Sequence, residues 1–400
     1  MQNQIPENWQ KVKLGEIVNV YGGGTPSTQV KTYWNGNVPW LTPAELTNYD
    51  SRFIAGTASS ITESGLKNSS AKIMPENSIL LTSRATIGNV TINTVPMATN
   101  QGFINVEPKE VDRDFFYYWL KSNGKYLNQI AIGSTFPELS KSVFKEIETE
   151  VPEGKEEQER IGKFASAFDD KIEVNNKIAK TLEEMAQEIF KEWFVNKRRP
   201  NWGTKKISDI AKINKGISYA SKDISDTGGL PMINLANFLR GGGFNVEGVK
   251  FYKGRFKESN LVKPGDIVIA MTDLTSNREV IGHPARVPSY SHWDKILVSL
   301  DVCSIETESI YVEFLYYLML KKDFSYLMAS SAGGTNVAHL STKFIEAYEF
   351  ALPNKEILER FQSVVTPIFK KKNLIEMENQ SLTKMRDLLL PKLMKGEIRV

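Results

Sequence analysis

Two polar loops carry the side chains best suited to recognition chemistry. Thr82-Ser-Arg-Ala-Thr-Ile-Gly88 follows an apolar run, and Met271-Thr272-Asp273 through Asn277 and Arg278 to Gly282 follows a matching run in the second half. Arginine and asparagine at strand ends suit paired hydrogen bonds to base edges, whereas serine and threonine suit phosphate oxygens. Ser83, Arg84, Thr86, Thr272, Asn277 and Arg278 are therefore candidate nucleic-acid contacts. A solvated loop whose arginine pairs a local carboxylate is the competing reading. A second loop pair, Gly133 to Ser140 and Gly334 to Ser341, adds Ser134, Thr135, Thr335 and Asn336 on the same reasoning.

The turn Gly22-Gly-Gly-Thr-Pro26 contributes Gly23 and Thr25. Backbone N–H groups in such a turn can approach a phosphate, and a tight strand connection needs the same glycines. Trp40 and Thr42 end the next apolar stretch, and Asn234 and Asn237 stand at the matching place. Trp9 and Trp202 occupy equivalent positions before a strand and read as core anchors. His339 aligns with Glu138, so it is either a variable contact or a loop residue. The run Lys197-Arg-Arg199 suits a helix C-terminus or a phosphate.

Catalytic patterns are missing. There is no Asn-Pro-Pro-aromatic or Asp-Pro-Pro-aromatic tetrapeptide for methyl transfer and no Gly-x4-Gly-Lys-Ser/Thr phosphate loop. His283, His292 and His339 are scattered, without partners at metal-ligand spacing. Cys303 lies in an apolar run where a small buried side chain is expected. The expectation is a chain with no catalytic residues, no metal site and no bound cofactor.

These loops need something to hold them apart. Residues 153–199 read as one unbroken helix, with Ile161, Phe164, Phe168, Ile178, Leu182, Met185 and Ile189 on a three-then-four spacing and Lys171 and Asn175 as polar entries. Such a stripe is a seam that needs a partner helix, and the helix would run on the order of 60 Å. The partner is in the same chain. Phe361, Val364, Ile368, Ile375, Leu382, Met385 and Leu389 repeat the phase 200 residues later, with Lys371 and Glu378 as the polar entries. Pro367 is expected to kink or break this second helix near Thr366, leaving it secure from Ile368 onward. Phe190, Trp193 and Phe194 look exposed at the end of the first.

The rest of the chain repeats as well. Pro6-Glu-Asn-Trp9 is answered by Pro200-Asn-Trp202, Val38 to Thr42 by Leu230 to Asn234, and Met74 to Leu81 by Val262 to Ile269. Phe115 to Leu120 is answered by Phe314 to Leu320. The expected fold is α+β: two similar mixed α/β domains, residues 1–152 and 200–353, separated by two long antiparallel helices, residues 153–199 and 354–400. They form a coiled coil with an internal pseudo-twofold repeat.

Composition sets broad limits. In 400 residues, 41% are hydrophobic and 24% charged, which is enough for real cores in two domains. A net charge of +3 permits an anionic partner without requiring one. A single cysteine, an opening stretch without signal-peptide pattern and no long apolar run fit a cytoplasmic protein with no membrane partner.

At this point the residues resemble a known family. The Gly-Gly-Thr-Pro-Ser27 turn followed by Tyr33-Trp-Asn-Gly36 and Val38-Pro-Trp40, the stretch Phe168-Asp-Asp-Lys-Ile172, and the ending Leu388-Leu-Leu-Pro-Lys-Leu-Met-Lys-Gly-Glu-Ile398 are similar to the specificity subunit of a type I restriction-modification enzyme. The resemblance covers essentially the whole chain. It implies a DNA-recognition subunit without catalysis, whose two target-recognition domains each read half of an asymmetric, bipartite site in double-stranded DNA. The paired helices would act as the ruler between them. It also implies partners: two modification subunits carrying S-adenosylmethionine and methylating adenine, and restriction subunits using ATP and Mg. The alternative is a non-catalytic protein-interaction scaffold with a coiled-coil assembly element and the Phe190, Trp193 and Phe194 cluster as its interface.

Overall fold

The computed structural model describes all residues except 1–6, 48, 50, 134–136, 198–201, 226, 241, 276, 290–292 and 335–336. The chain divides into two compact units, residues 1–175 with 379–400, and residues 176–378. Each unit contains a mixed α/β body and a portion of both long helices.

In the first unit a five-stranded sheet runs in the order Val18–Gly22, Phe103–Pro108, Ile79–Thr82, Val90–Asn93, Phe53–Ile54. A three-stranded sheet of Ser59–Ile61, Trp34–Leu41 and Ala98–Thr99 stands beside it, and Trp9–Lys13 pairs with Glu148–Pro152. The helix Arg113–Ser122 is buried almost all round, Phe115 to Leu120 without a break, as its aromatic sequence requires. Asp112 caps it by accepting from the Phe115 N–H at 2.8 Å.

The second unit repeats this plan. Ala211–Lys215, Val302–Thr307, Ile267–Ala270 and Pro284–Arg286 form an antiparallel sheet, and Gly203–Lys206 pairs with Glu349–Leu352. The register repeats too: Ile79 opposes Val106 as Ile267 opposes Ile305, and Leu81 opposes Ile104 as Ile269 opposes Cys303. The apolar helix Ser309–Met319 occupies the place of Arg113–Ser122.

The first long helix spans Lys155–Phe190 and continues as a π-helical turn over Lys191–Asn196; the second spans Lys355–Leu393. Within the first unit Asp169 accepts from Arg386 and Asn175 pairs with Asn379 at 2.8 Å. The numbering falls on one helix as it rises on the other, so the segments are antiparallel. Lys372 bonds Glu183 at 2.9 Å inside the second unit.

Two sequence expectations are corrected here. The second helix is continuous through Pro367. Leu358, Phe361 and Val365 are buried in the second unit's core just before the proline, and that packing outweighs the ~3 kcal/mol an interior proline costs. The seam is also rotated. Ile161, Asn175, Phe190 and Ile375 are buried, and Phe168, Leu182, Trp193, Ile368, Leu382 and Leu389 are half-buried. Phe164, Ile178, Met185, Val364 and Met385, however, point outward. Ala165 and Ala186 are buried in place of Phe164 and Met185, because each faces the core cluster of its own unit, while charged pairs link the two helices.

Candidate nucleic-acid interface

In the first unit the strand Ile79–Thr82 delivers the chain into a loop held by its own polar groups. The buried Thr82 hydroxyl donates to the Thr86 carbonyl and accepts from the Asn89 N–H at 3.0 Å. Ala85 is left-handed at φ 61°, an unusual conformation for a residue with a Cβ. The Ser83 N–H donates to the Gly102 carbonyl at 2.7 Å, and the Leu139 N–H donates to the Ser83 carbonyl at 3.0 Å. Three loops therefore meet at Ser83. Beyond it Arg84 opposes Glu138, and their side chains pair at 2.9 Å.

The glycine-rich turn joins the same surface. The Gly24 N–H donates to the Thr99 carbonyl at 2.9 Å, and Thr25 Oγ1 donates to Gln101 Oε1. Gly23, within this turn, lies so close to Thr99 and Asn100 that an added Cβ would meet the Asn100 carbonyl oxygen at 2.0 Å, so the glycine is required by a close strand connection. Trp40 is buried, its Nε1 donating to the Gly24 carbonyl at 2.9 Å and its ring set edge-on to Trp34 at 4.9 Å. It props the turn from below and offers no face to a base. Thr42 caps a short 3-10 helix through Glu45 at 2.9 Å. Exposed Thr25, Gln101 and Arg84 remain on the surface, with half-buried Asn100, Glu138 and Thr86.

The second unit builds the same junction with different side chains. The Met271 N–H donates to the Asp301 carbonyl at 2.8 Å, and the Leu340 N–H donates to the Met271 carbonyl at 2.8 Å. Thr272 then opposes His339. This bonding makes Thr272 the equivalent of Arg84. Arg278, expected to play that part, is left-handed at φ 54° and donates to the carbonyls of Ala329 and Ala332 at 2.7 and 3.1 Å. Its guanidinium closes the end of a helix.

Asp273 organises this loop. Burial pushes its carboxyl up, but bonds from the Thr275 hydroxyl and from the N–H groups of Thr275, Val280 and Ile281 hold it below the usual range. Thr272 is buried and donates to Asp301 at 3.0 Å. Asn234 and Asn237 are buried too: Asn234 donates to the Gly248 carbonyl, and Asn237 donates to that of Asn245, both at 2.7 Å. Their amides are used inside the unit. Asn277 is exposed. Ser134, Thr135, Thr335 and Asn336 lie outside the described residues.

Asn100 and Gln101 join this candidate surface without having been singled out in the sequence, although a polar Asn-Gln-Gly between apolar strands was the available signal. Sequence reasoning misplaced the aromatic cluster. Phe190 and Phe194 are buried against Phe314 and Phe361, with ring centroids 4.8–6.0 Å apart, and Trp193 is half-buried. The interface imagined there for a protein scaffold is occupied by the second unit's own core. Burial pushes the Cys303 thiol up to about 12, which makes it a poor nucleophile. Among the described residues no group of His, Cys, Asp or Glu could hold a metal ion, and no helix is long and apolar enough to cross a membrane.

Comparison with known proteins agrees with this repeated design. The type I restriction modification DNA specificity domain matches residues 6–184 and again 200–384. The type I restriction enzyme MjaIX specificity subunit of Methanocaldococcus jannaschii is 34% identical over 427 residues, covering 99% of this chain and 95% of its own. The MjaVIII specificity subunit of the same organism is 24% identical over 428 residues, covering 99% and 94%. The crystal structure of the S subunit of the type I restriction-modification system from M. genitalium has a similar fold, with a TM-score of 0.59 at 18% identity over 98% of both chains.

Proposed function

The chain belongs to the family of type I restriction-modification DNA specificity subunits, and on that premise we propose that each unit reads one half of an asymmetric, bipartite site in double-stranded DNA. The observation that carries this reading is the junction built twice: the same backbone bonds gather three loops at Ser83 and at Met271, while the side chains presented differ. Repetition of the scaffold gives two readers, and divergence of the side chains gives two different half-sites.

The chain supplies recognition and its partners supply chemistry. Two modification subunits with S-adenosylmethionine methylate adenine, and restriction subunits with ATP and Mg cleave, in the cytoplasm. Apolar side chains left outside the helix seam support docking of partner subunits: Phe164, Val174, Ile178 and Met185 on the first long helix, and Val364, Leu374, Met385 and Leu388 on the second. The long helices, each continuous between residues of one unit and residues of the other, set the spacer between half-sites.

The test combines binding with methylation. The chain assembled with modification subunits should shift duplex DNA with an affinity that falls steeply with salt, and sequencing of the methylated adenines should return two unlike half-sites across a fixed spacer. A single contiguous site, or methylation without sequence preference, would overturn the reading. Turnover by the isolated chain would overturn its non-catalytic role.

A further inference from the structure

Residues directly opposite on an antiparallel pair project to the same side. At the junction this places Arg84 with Glu138 in the first unit and Thr272 with His339 in the second. The two positions are equivalent by bonding and not only by alignment: Glu138 exchanges both backbone bonds with Ile132 at 3.0 Å, as His339 does with Gly333 at 2.7 and 3.0 Å. Each is followed by the leucine whose N–H bonds the post-strand residue, Leu139 to Ser83 and Leu340 to Met271.

The side chains at these positions divide the work differently. Arg84 and Glu138 are 46% and 40% exposed, so their pairing adds little to stability. What the pairing does is orient a guanidinium. The carboxylate lies at Nη2, which carries two N–H groups, so one can meet Glu138 while the other and Nη1 form the end-on planar pair that fits O6 and N7 of guanine. In the second unit Thr272 is buried and committed to Asp301. His339 opposite it is exposed, with a ring N–H able to donate to a purine N7.

We propose that residues 138 and 339 are the specificity-determining positions of the two units: Glu138 is the positioning residue that aims Arg84 at a guanine in one half-site, and His339 itself contacts a purine edge in the other. This rests on the two-reader function above and adds to it the base chemistry at one position of each half-site.

The experiment maps adenine methylation by the complete methyltransferase complex on random-sequence DNA, with wild type, Arg84→Gln, Glu138→Gln, Glu138→Asp and His339→Ala. Arg84→Gln and Glu138→Gln should each reduce the preference for guanine at one position of one half-site, on the order of 10-fold to 100-fold, with the second half-site unchanged. Glu138→Asp should retain part of that preference, which a merely structural role would not predict. His339→Ala should relax one purine position in the other half-site only. The untouched half-site reports that each variant is folded. The proposal is overturned if the variants weaken methylation equally on all sequences, relax both half-sites together, or keep the wild-type preference; any of these leaves a bipartite wild-type map intact. A wild-type map that is not bipartite defeats the underlying reading instead.

Discussion

Replacing Arg286 by Met should destabilise the second unit severely. The Arg286 guanidinium donates from Nη1 to Glu313 at 2.8 Å, the two side chains are only 7% and 5% exposed, and Thr366 adds a bond to Glu313 at 3.3 Å. The same guanidinium lies over the Phe369 ring at 4.0 Å and near that of Tyr316 at 5.5 Å. Three elements meet here: the strand Pro284–Arg286, the helix Ser309–Met319 and the second long helix. Arg286→Met leaves a carboxylate out of water with one hydroxyl for company, at a cost of about 3–5 kcal/mol. At roughly 2–4 °C per kcal/mol for a unit of this size, the melting temperature should drop by roughly 6–20 °C. Removing both charges with Arg286→Met/Glu313→Leu should recover most of the loss, because no uncompensated ion remains. Calorimetric melting of the four chains of this cycle decides it. A single variant costing under about 1 kcal/mol, or a double variant as unstable as Arg286→Met, would refute the reasoning.

Other predictions follow from single features. Burial pushes the Asp169 carboxyl up, but Lys121 and Arg386 beside it, with Tyr118, pull it further down, so its folded value lies below the unfolded one. Its contribution is therefore present above about pH 4 and lost as pH falls through the lowered value. Asp169→Asn should cost the first unit about 3 kcal/mol at neutral pH and flatten the fall of its stability as pH drops below about 4, read by denaturant melts. Pro367→Ala restores an N–H inside a continuous helix and should stabilise by about 1–3 kcal/mol; no gain in urea midpoint would mean the proline is accommodated without cost. Gly23→Ala forces a Cβ against the Thr99 and Asn100 carbonyls and should cost at least ~2 kcal/mol, whereas Gly56→Ala meets nothing within 4 Å and should be neutral in the same melts.

The repeat, the two long helices and the strand-then-loop pattern of the candidate surface were legible because each leaves a periodic or twofold signal in the chain. What was illegible depends on three-dimensional register. The offset between halves changes from 188 at Ser83 and Met271 to 201 at Leu139 and Leu340, so an arginine within one loop cannot be matched to an arginine in the other by counting. Arg278 looked like the partner of Arg84, yet backbone bonding gives that place to Thr272. The helix seam was misphased because apolarity alone ranks Phe164 and Met185 above Ala165 and Ala186. The alanines lie on the faces turned to each unit's own core, which the apolarity of single residues does not reveal. Asn234 and Asn237 show the remaining limit: a polar residue after a strand is equally suited to a ligand and to its own backbone, and here the backbone takes it.

If each unit reads its own half-site, a domain exchange should transfer one half of the specificity. Residues 1–152 are replaced by the corresponding domain of a relative with a different specificity, the chimera is assembled with its modification subunits, and methylated adenines are mapped across a genome. One half of the recognised site should change to that of the donor while the other half keeps its bases. A map in which both halves change, or neither does, would contradict it.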